Sequence, residues 1–243
     1  MKTILSKFSL TILFCFFFFI LHVPVIFGNS SVHEWKAKKS NNIISSNSMA
    51  LYEALNLNSL GLSEQAYELA IKGFDNLKCE GKFNHQNIIS IIDFTKPSAE
   101  KRLFIIDVEN GKLLFNTYVA HGQNSGTLYA EKFSNKPSSF QSSLGFYETT
   151  ETYIGKHGYS LQLNGLEKGI NDKADSRAIV VHGASYVSEG IIRTQGYLGR
   201  SWGCPAVPEK LSKPIIDKIK NGTCMFIYGN DKNYFNRSAI LNS

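Results

Sequence analysis

The sequence predicts a mainly β domain, with one helix ahead of the strands and another between the last two. Three observations point there. From about residue 88 onward, apolar runs of five to eight residues alternate with short polar breaks. An Asn110-Gly111 pair stands between two such runs, a strong hairpin signal when both turn positions take positive φ. Helical spacing is confined to two stretches, 62–78 and 213–222. With 43% hydrophobic and 19% charged residues in 243, the chain can fill the core of one globular domain and is not broadly disordered.

The chain begins with Lys2 and Lys7 and then an apolar run, Phe8–Gly28, without an acidic residue. Small residues follow at Gly28, Ser30 and Ser31. This is the layout of a secretory signal, residues 1–28, cleaved near Gly28 or Ser30. An uncleaved anchor is the alternative, because the run is almost long enough to span a bilayer; His22 and Pro24 favour cleavage. Cys15 lacks the small preceding residue of a lipoprotein site. The expected destination is therefore outside the cytoplasm, in the periplasm or cell envelope or secreted, with no stable membrane insertion after cleavage. Residues 29–48 are polar and read as a linker.

"LSEQAYELAIKGFDNLK", 62–78, reads as the first helix. Ser63 caps it, and Ala66, Ala70, Phe74 and Leu77 form one stripe. "IISIIDF", "RLFIIDV", "KLLFNTYVAH", "SLGFYETTETY", "YSLQLNGL", "AIVVHG" and "TCMFIYG" read as strands, mostly antiparallel. "KPIIDKIKNG" reads as the second helix, with Pro214 near its start and Gly222 past its end. The domain is bounded at 49–231, leaving 232–243 as a tail.

The chain carries 26 Lys+Arg against 20 Asp+Glu, a formal +6 that favours an anionic surface such as a cell wall. No dense basic run with interleaved aromatics suggests nucleic acid. Beyond the leader stand Cys79, Cys204 and Cys224. An odd count leaves at least one thiol unpaired within the chain. Cys79 and Cys224 either bridge each other or both stay reduced.

Cys204 has the setting of a nucleophile, in "GRSWGCPAV" at 199–207. A thiolate nucleophile needs a base, oxyanion donors and access for an acyl group. Gly203 allows a sharp turn and close approach of substrate. The N–H groups of Gly203 and Cys204 are the candidate oxyanion donors, whereas Pro205 has none. Arg200 can stabilise a thiolate or grip a carboxylate. With Ser201, Trp202, His121 and Gly183, it makes the set of candidate substrate contacts. For the base, His182 at the end of "AIVVHG" and His121 at the end of "TYVAH" both qualify on type and position. His157-Gly158 reads as an exposed turn. No His-Glu-x-x-His or Cys-x-x-Cys spacing calls for a metal, and no cofactor is implied.

"IVVHG", a spacer and then "GRSWGCPAV" resemble the active-site signature of the peptidoglycan L,D-transpeptidases. "FNTYVAHGQNSG", "SSLGFYETTETYIGKHGYSLQLNGLEKG", "AIVVHGASYVSE" and "LYEALNLNSLGLSEQAYELAIKGF" resemble the murein L,D-transpeptidase catalytic domain branch, across roughly residues 50–230. The resemblance implies an L,D-transpeptidase-like β domain with Cys204 as nucleophile and His182 as base. The Gly183 carbonyl or the Ser185 hydroxyl would orient that base. It also implies cofactor-free transfer of a stem tetrapeptide from a thioester to an amine. An L,D-carboxypeptidase and a non-catalytic wall-binding module are the alternatives. Three departures bear on acceptor choice and stem recognition: Trp202 stands where histidine is commoner, the arginine precedes the cysteine, and the spacer from His182 to Cys204 is longer than usual.

Overall fold

The computed structural model describes residues 48–243. The leader and the linker up to residue 47 lie outside the described residues. A short helix over 48–54 leads into α1 (Glu64–Cys79). There follow β1 (Ile88–Asp93), β2 (Leu103–Asp107), β3 (Lys112–Thr117), β4 (Gly145–Gly155), β5 (Gly158–Gly165) and β6 (Val180–Ala184). The chain continues with α2 (Glu189–Gln195), β7 (Ala206–Pro208), α3 (Glu209–Ile219), β8 (Cys224–Tyr228) and α4 (Lys232–Arg237). One 8-stranded sheet has the order β3-β2-β1-β8-β4-β5-β6-β7. The fold is mainly β, and most strand pairs are antiparallel. Two pairs, β1–β8 and β6–β7, run parallel. The chain leaving β3 bridges back to β7 through Ala120 and Ala206, so the sheet curls toward a barrel.

The centre of the sheet is the apolar pair β1 and β8, buried along their whole length. Continuous apolar runs are what a strand covered on both faces needs. One cover is α1. Ser63 accepts from the Ala66 N–H at its start. The Ser63 hydroxyl and N–H also donate to the Asp93 carboxylate, at 2.7 and 3.1 Å, pinning the helix to β1. Ala66, Tyr67, Ala70, Ile71, Phe74 and Leu77 turn inward. Burying each large side chain contributes about 2 kcal/mol. Gly73 permits the close approach: a Cβ there would sit 2.0 Å from the Phe146 ring, itself stacked on Phe226 at 4.2 Å.

The structure alters three local expectations. In the β2–β3 turn only Gly111 takes positive φ, at +59°. The Asp107 carboxylate accepts from the Asn110 N–H and side-chain amide, each at 3.0 Å, so the turn is a longer one than the two-residue mirror-image type. Helix α3 begins at Glu209, which leaves Pro214 inside it. The buried stripe Ile215, Ile216 and Ile219 holds the helix across that break, at a cost of one backbone hydrogen bond. Residues 232–243 are not a tail. Tyr234 Oη and Ser238 Oγ donate to the buried Glu167 carboxylate, which also accepts from the Phe146 N–H, and Leu241 is buried. Cys79 is exposed, Cys224 is buried in β8, and neither is bridged.

Candidate active site

Strand β7 sits between two His-Gly pairs; neither ends a strand as expected, because His182 is the middle residue of β6 and His121 follows the isolated bridge residue Ala120, beyond the end of β3. His182 in β6 pairs with Ala206 on one side, and Ala120, just before His121, bridges Ala206 on the other. The loop that precedes β7 carries Cys204.

That loop is fixed by its own hydrogen bonds. Ser201 Oγ donates to the Cys204 carbonyl at 2.6 Å and accepts from the Gly203 N–H at 3.1 Å. Ser142 Oγ donates to the Gly203 carbonyl at 3.1 Å. Gly203 takes φ +124°, and a Cβ there would lie 2.7 Å from the Gln141 carbonyl, so only glycine fits. This corrects the expected oxyanion donors. The Gly203 N–H is occupied by Ser201, which leaves the Cys204 N–H. It also shows Ser201 as a buried tie within the loop, with its hydroxyl spent on backbone.

Cys204 is a free, half-buried thiol whose Sγ lies 3.6 Å from the Ala178 carbonyl. Burial raises its pKa. The Val180 N–H, the Arg177 charge and its own N–H pull the other way, because each stabilises the thiolate. His182 Nδ1 donates to the Gly183 carbonyl at 2.9 Å. That bond fixes the tautomer and leaves Nε2 as the free lone pair. It is the Gly183 carbonyl, of the two orienters expected, that holds the ring. Burial lowers the His182 pKa, the Gly183 bond opposes this, and His157 lowers it further. Burial thus works against both charged forms, the thiolate and the imidazolium.

Cys204 and His182 line one cleft of about 310 Å³ with Tyr153, Lys156, His157, Arg177, Tyr186, Arg200 and Trp202. Three cations border it and no carboxylate does, so it suits an anionic ligand. A larger, shallower hollow of about 620 Å³, walled by Gln123–Lys132 and Gln141, contains no thiol or imidazole. Among the described residues no His/Cys/Asp/Glu group could hold a metal ion, and no helix is long and apolar enough to cross a membrane.

The remaining expected contacts divide. Trp202 is 64% exposed and stands on the rim, against Phe140 and under the Lys156 ammonium. Arg200 lines the cleft, but its guanidinium leans on Gly126 O (3.3 Å) and lies over Tyr197 (5.5 Å). The cation that stabilises the thiolate is instead Arg177, held by Gln141 O (2.6 Å), Ser134 O (2.8 Å) and Ser143 Oγ. Gly183 faces α3, where a Cβ would meet Ser212 Oγ at 2.7 Å; its part is its carbonyl. His121 corrects a further expectation. It is 0% exposed, and Arg102 donates to its Nδ1 at 2.7 Å while its Nε2 donates to Gly126 O. With both ring nitrogens occupied, it has none left for a substrate.

Arg177 and His157 were not among the expected site residues. Arg177 precedes a buried strand in a polar stretch that carries no pattern of its own. His157 reads as an exposed turn, which it is, yet its ring stacks on His182 at 4.4 Å. The one available signal was a third His-Gly in the two-residue loop of a glycine-bounded hairpin.

Residues 58–228 match the family model of the L,D-transpeptidase catalytic domain. Solved structures similar to the chain include an L,D-transpeptidase from Mycobacterium smegmatis. It is 13% identical, with 59% of each chain covered and a TM-score of 0.36. Another is the helical cell shape determining protein Pgp2 (K307A mutant) from Campylobacter jejuni. It is 14% identical, with 66% of this chain and 57% of that one covered and a TM-score of 0.41. The chain thus spans under two thirds of the length of these proteins. No curated protein matches it.

Proposed function

Because the chain belongs to the L,D-transpeptidase catalytic domain family, we propose that it transfers peptidoglycan stem peptides through a thioester on Cys204. The observation that carries the reading is one cleft shared by a free thiol and an imidazole whose Nε2 alone is unspent.

In the proposed reaction, Cys204 Sγ attacks the carbonyl carbon of the amide beside the terminal D-alanine of a tetrapeptide stem. His182 Nε2 takes the thiol proton as the bond forms. The oxyanion meets the Cys204 N–H and the Arg177 charge. Collapse breaks the C–N bond, and His182 returns the proton to the leaving amine. A second stem's amine then attacks the thioester, giving its proton to His182, and the thiol is restored. Arg177, Arg200 and Lys156 supply the positive field for the substrate carboxylate. The leader-like residues 1–28 support export to the compartment where such substrates lie.

Incubation with purified muropeptides and mass analysis of the products tests this. Cross-linked dimer is expected. A trimmed tripeptide alone would make water the acceptor and the protein a carboxypeptidase. Unchanged muropeptide, with Cys204 unmodified, would leave a wall-binding module.

A further inference from the structure

The catalytic imidazole proposed above has a second imidazole lying flat against it. His157 occupies the two-residue loop closing the β4–β5 hairpin, where Gly155 pairs with Gly158. Ser160 in β5 lies opposite His182 in β6, so the loop falls just beyond the base. The rings stack with centroids 4.4 Å apart and planes 26° from parallel. His157 is exposed, whereas His182 is buried on every other side. Nothing about packing a hairpin tip calls for an imidazole; an exposed two-residue turn is satisfied by any small polar residue.

We propose that His157 is a positioning residue that caps the His182 ring and keeps it proton-free as pH falls. The proposal rests on His182 being the base. Two imidazoles in stacking contact repel a second proton, so charge on one ring disfavours charge on the other. Burial is the larger cause of the lowered His182 pKa, and His157 adds to it in the same direction. The other charged and titratable groups facing the pair are Lys156 and Tyr153 on the same hairpin, Arg177 ahead of β6, Tyr186 behind it, and Arg200 and Cys204 on the nucleophile loop. Helix α3, packed on the far flank of β6, turns Ser212 and Glu209 toward Gly183 instead. His157 is the group among them in ring contact with His182.

The test compares the full chain with His157→Phe, which keeps a flat ring without a charge, and His157→Ala, which removes both. Imidazole nitrogen shifts read the His182 titration directly, and acylation by a carbapenem is followed against pH. In His157→Phe the His182 midpoint is expected to rise. Acylation at pH 5.5 should fall about threefold relative to wild type while the rate at pH 8 stays within about twofold. In His157→Ala the rate at pH 8 is expected to fall as well, by about fivefold, because the ring loses its support. An unchanged His182 midpoint in His157→Phe would overturn the proposal. So would equal losses at both pH values in both variants, which mark a merely structural role. If wild type fails to acylate, the proposed function falls, and the nitrogen titration still decides whether the two rings share a proton.

Discussion

Two His-Gly pairs flank the same short strand, and their rings are held in opposite ways. His182-Gly183 leaves one ring nitrogen free over a cleft that contains a thiol. His121-Gly122 spends both ring nitrogens, on Arg102 and on the Gly126 carbonyl, and is sealed from solvent. The dipeptide is the same, and so is the neighbouring residue, Ala206. What separates them is the partner of Nδ1. A carbonyl at Nδ1 leaves the His182 imidazole with its lone pair at Nε2. A buried guanidinium at Nδ1 makes the His121 imidazole an acceptor there and a donor at Nε2, and pushes its pKa down to about 3, burial being the larger cause. The two imidazoles thus differ in which lone pair is left over.

The largest expected effect tests that contrast in activity. His182→Ala should slow acylation of Cys204 about 10³-fold, the usual contribution of a general base. His121→Ala should cost less than about tenfold per folded molecule. Rate constants for the two variants measured on equal folded fractions check this, and equal losses would break the comparison.

Stability should rank the pair the other way. His121→Ala leaves a fully buried Arg102 with one N–H unpaired beside a cavity. It should lower unfolding free energy by about 3 kcal/mol in urea titrations. His182→Ala, at the cleft wall, should cost about 1 kcal/mol.

The third contrast is in pH. An unfolded histidine takes a proton near its ordinary pKa of about 6.5, whereas folded His121 refuses one until about pH 3. Acid therefore favours the unfolded chain: this contribution is whole above about pH 6.5 and is lost as pH falls. Between pH 7 and 5 wild type should lose about 2 kcal/mol more than His121→Asn. Parallel stability curves for the two would show that His121 does not resist protonation.

The smallest effect concerns the loop between the two histidines. Ser201→Ala removes the hydroxyl that joins the Gly203 N–H to the Cys204 carbonyl. It should cost about 1 kcal/mol and slow acylation about tenfold through a looser nucleophile. An unchanged rate would mean that the Gly203 N–H can be spared from its tie and offered to the oxyanion.

The same contrast marks what could be read from residues alone. The helix α1, the alternating strands and the Gly-Cys loop were legible, because periodicity and capping act locally. The free thiol of Cys204 in that loop was legible as the candidate nucleophile because glycine before it and proline after it constrain a backbone that packing alone leaves unconstrained. What lay hidden depends on contacts distant in sequence. His121 meets Arg102 nineteen residues away. Arg177 reaches Gln141 thirty-six residues away and turns its charge on Cys204. His157 meets His182 only because β4, β5 and β6 lie side by side. The 232–243 segment looked like a tail because its anchor, Glu167, is a buried carboxylate that no local pattern announces. The sheet is mostly antiparallel as expected, and its two parallel pairs, β1–β8 and β6–β7, carry no local signal for the same reason: strand direction is set by the path between strands.

The measurement that bears most directly on the two-histidine account is the intact mass of the chain after exposure to a carbapenem, followed by peptide mapping. One covalent adduct on Cys204 is expected in wild type and in His121→Ala, forming about 10³-fold more slowly in His182→Ala and absent from Cys204→Ala. An adduct that persists in Cys204→Ala, or one that maps to the exposed Cys79 and forms equally fast without His182, would contradict it.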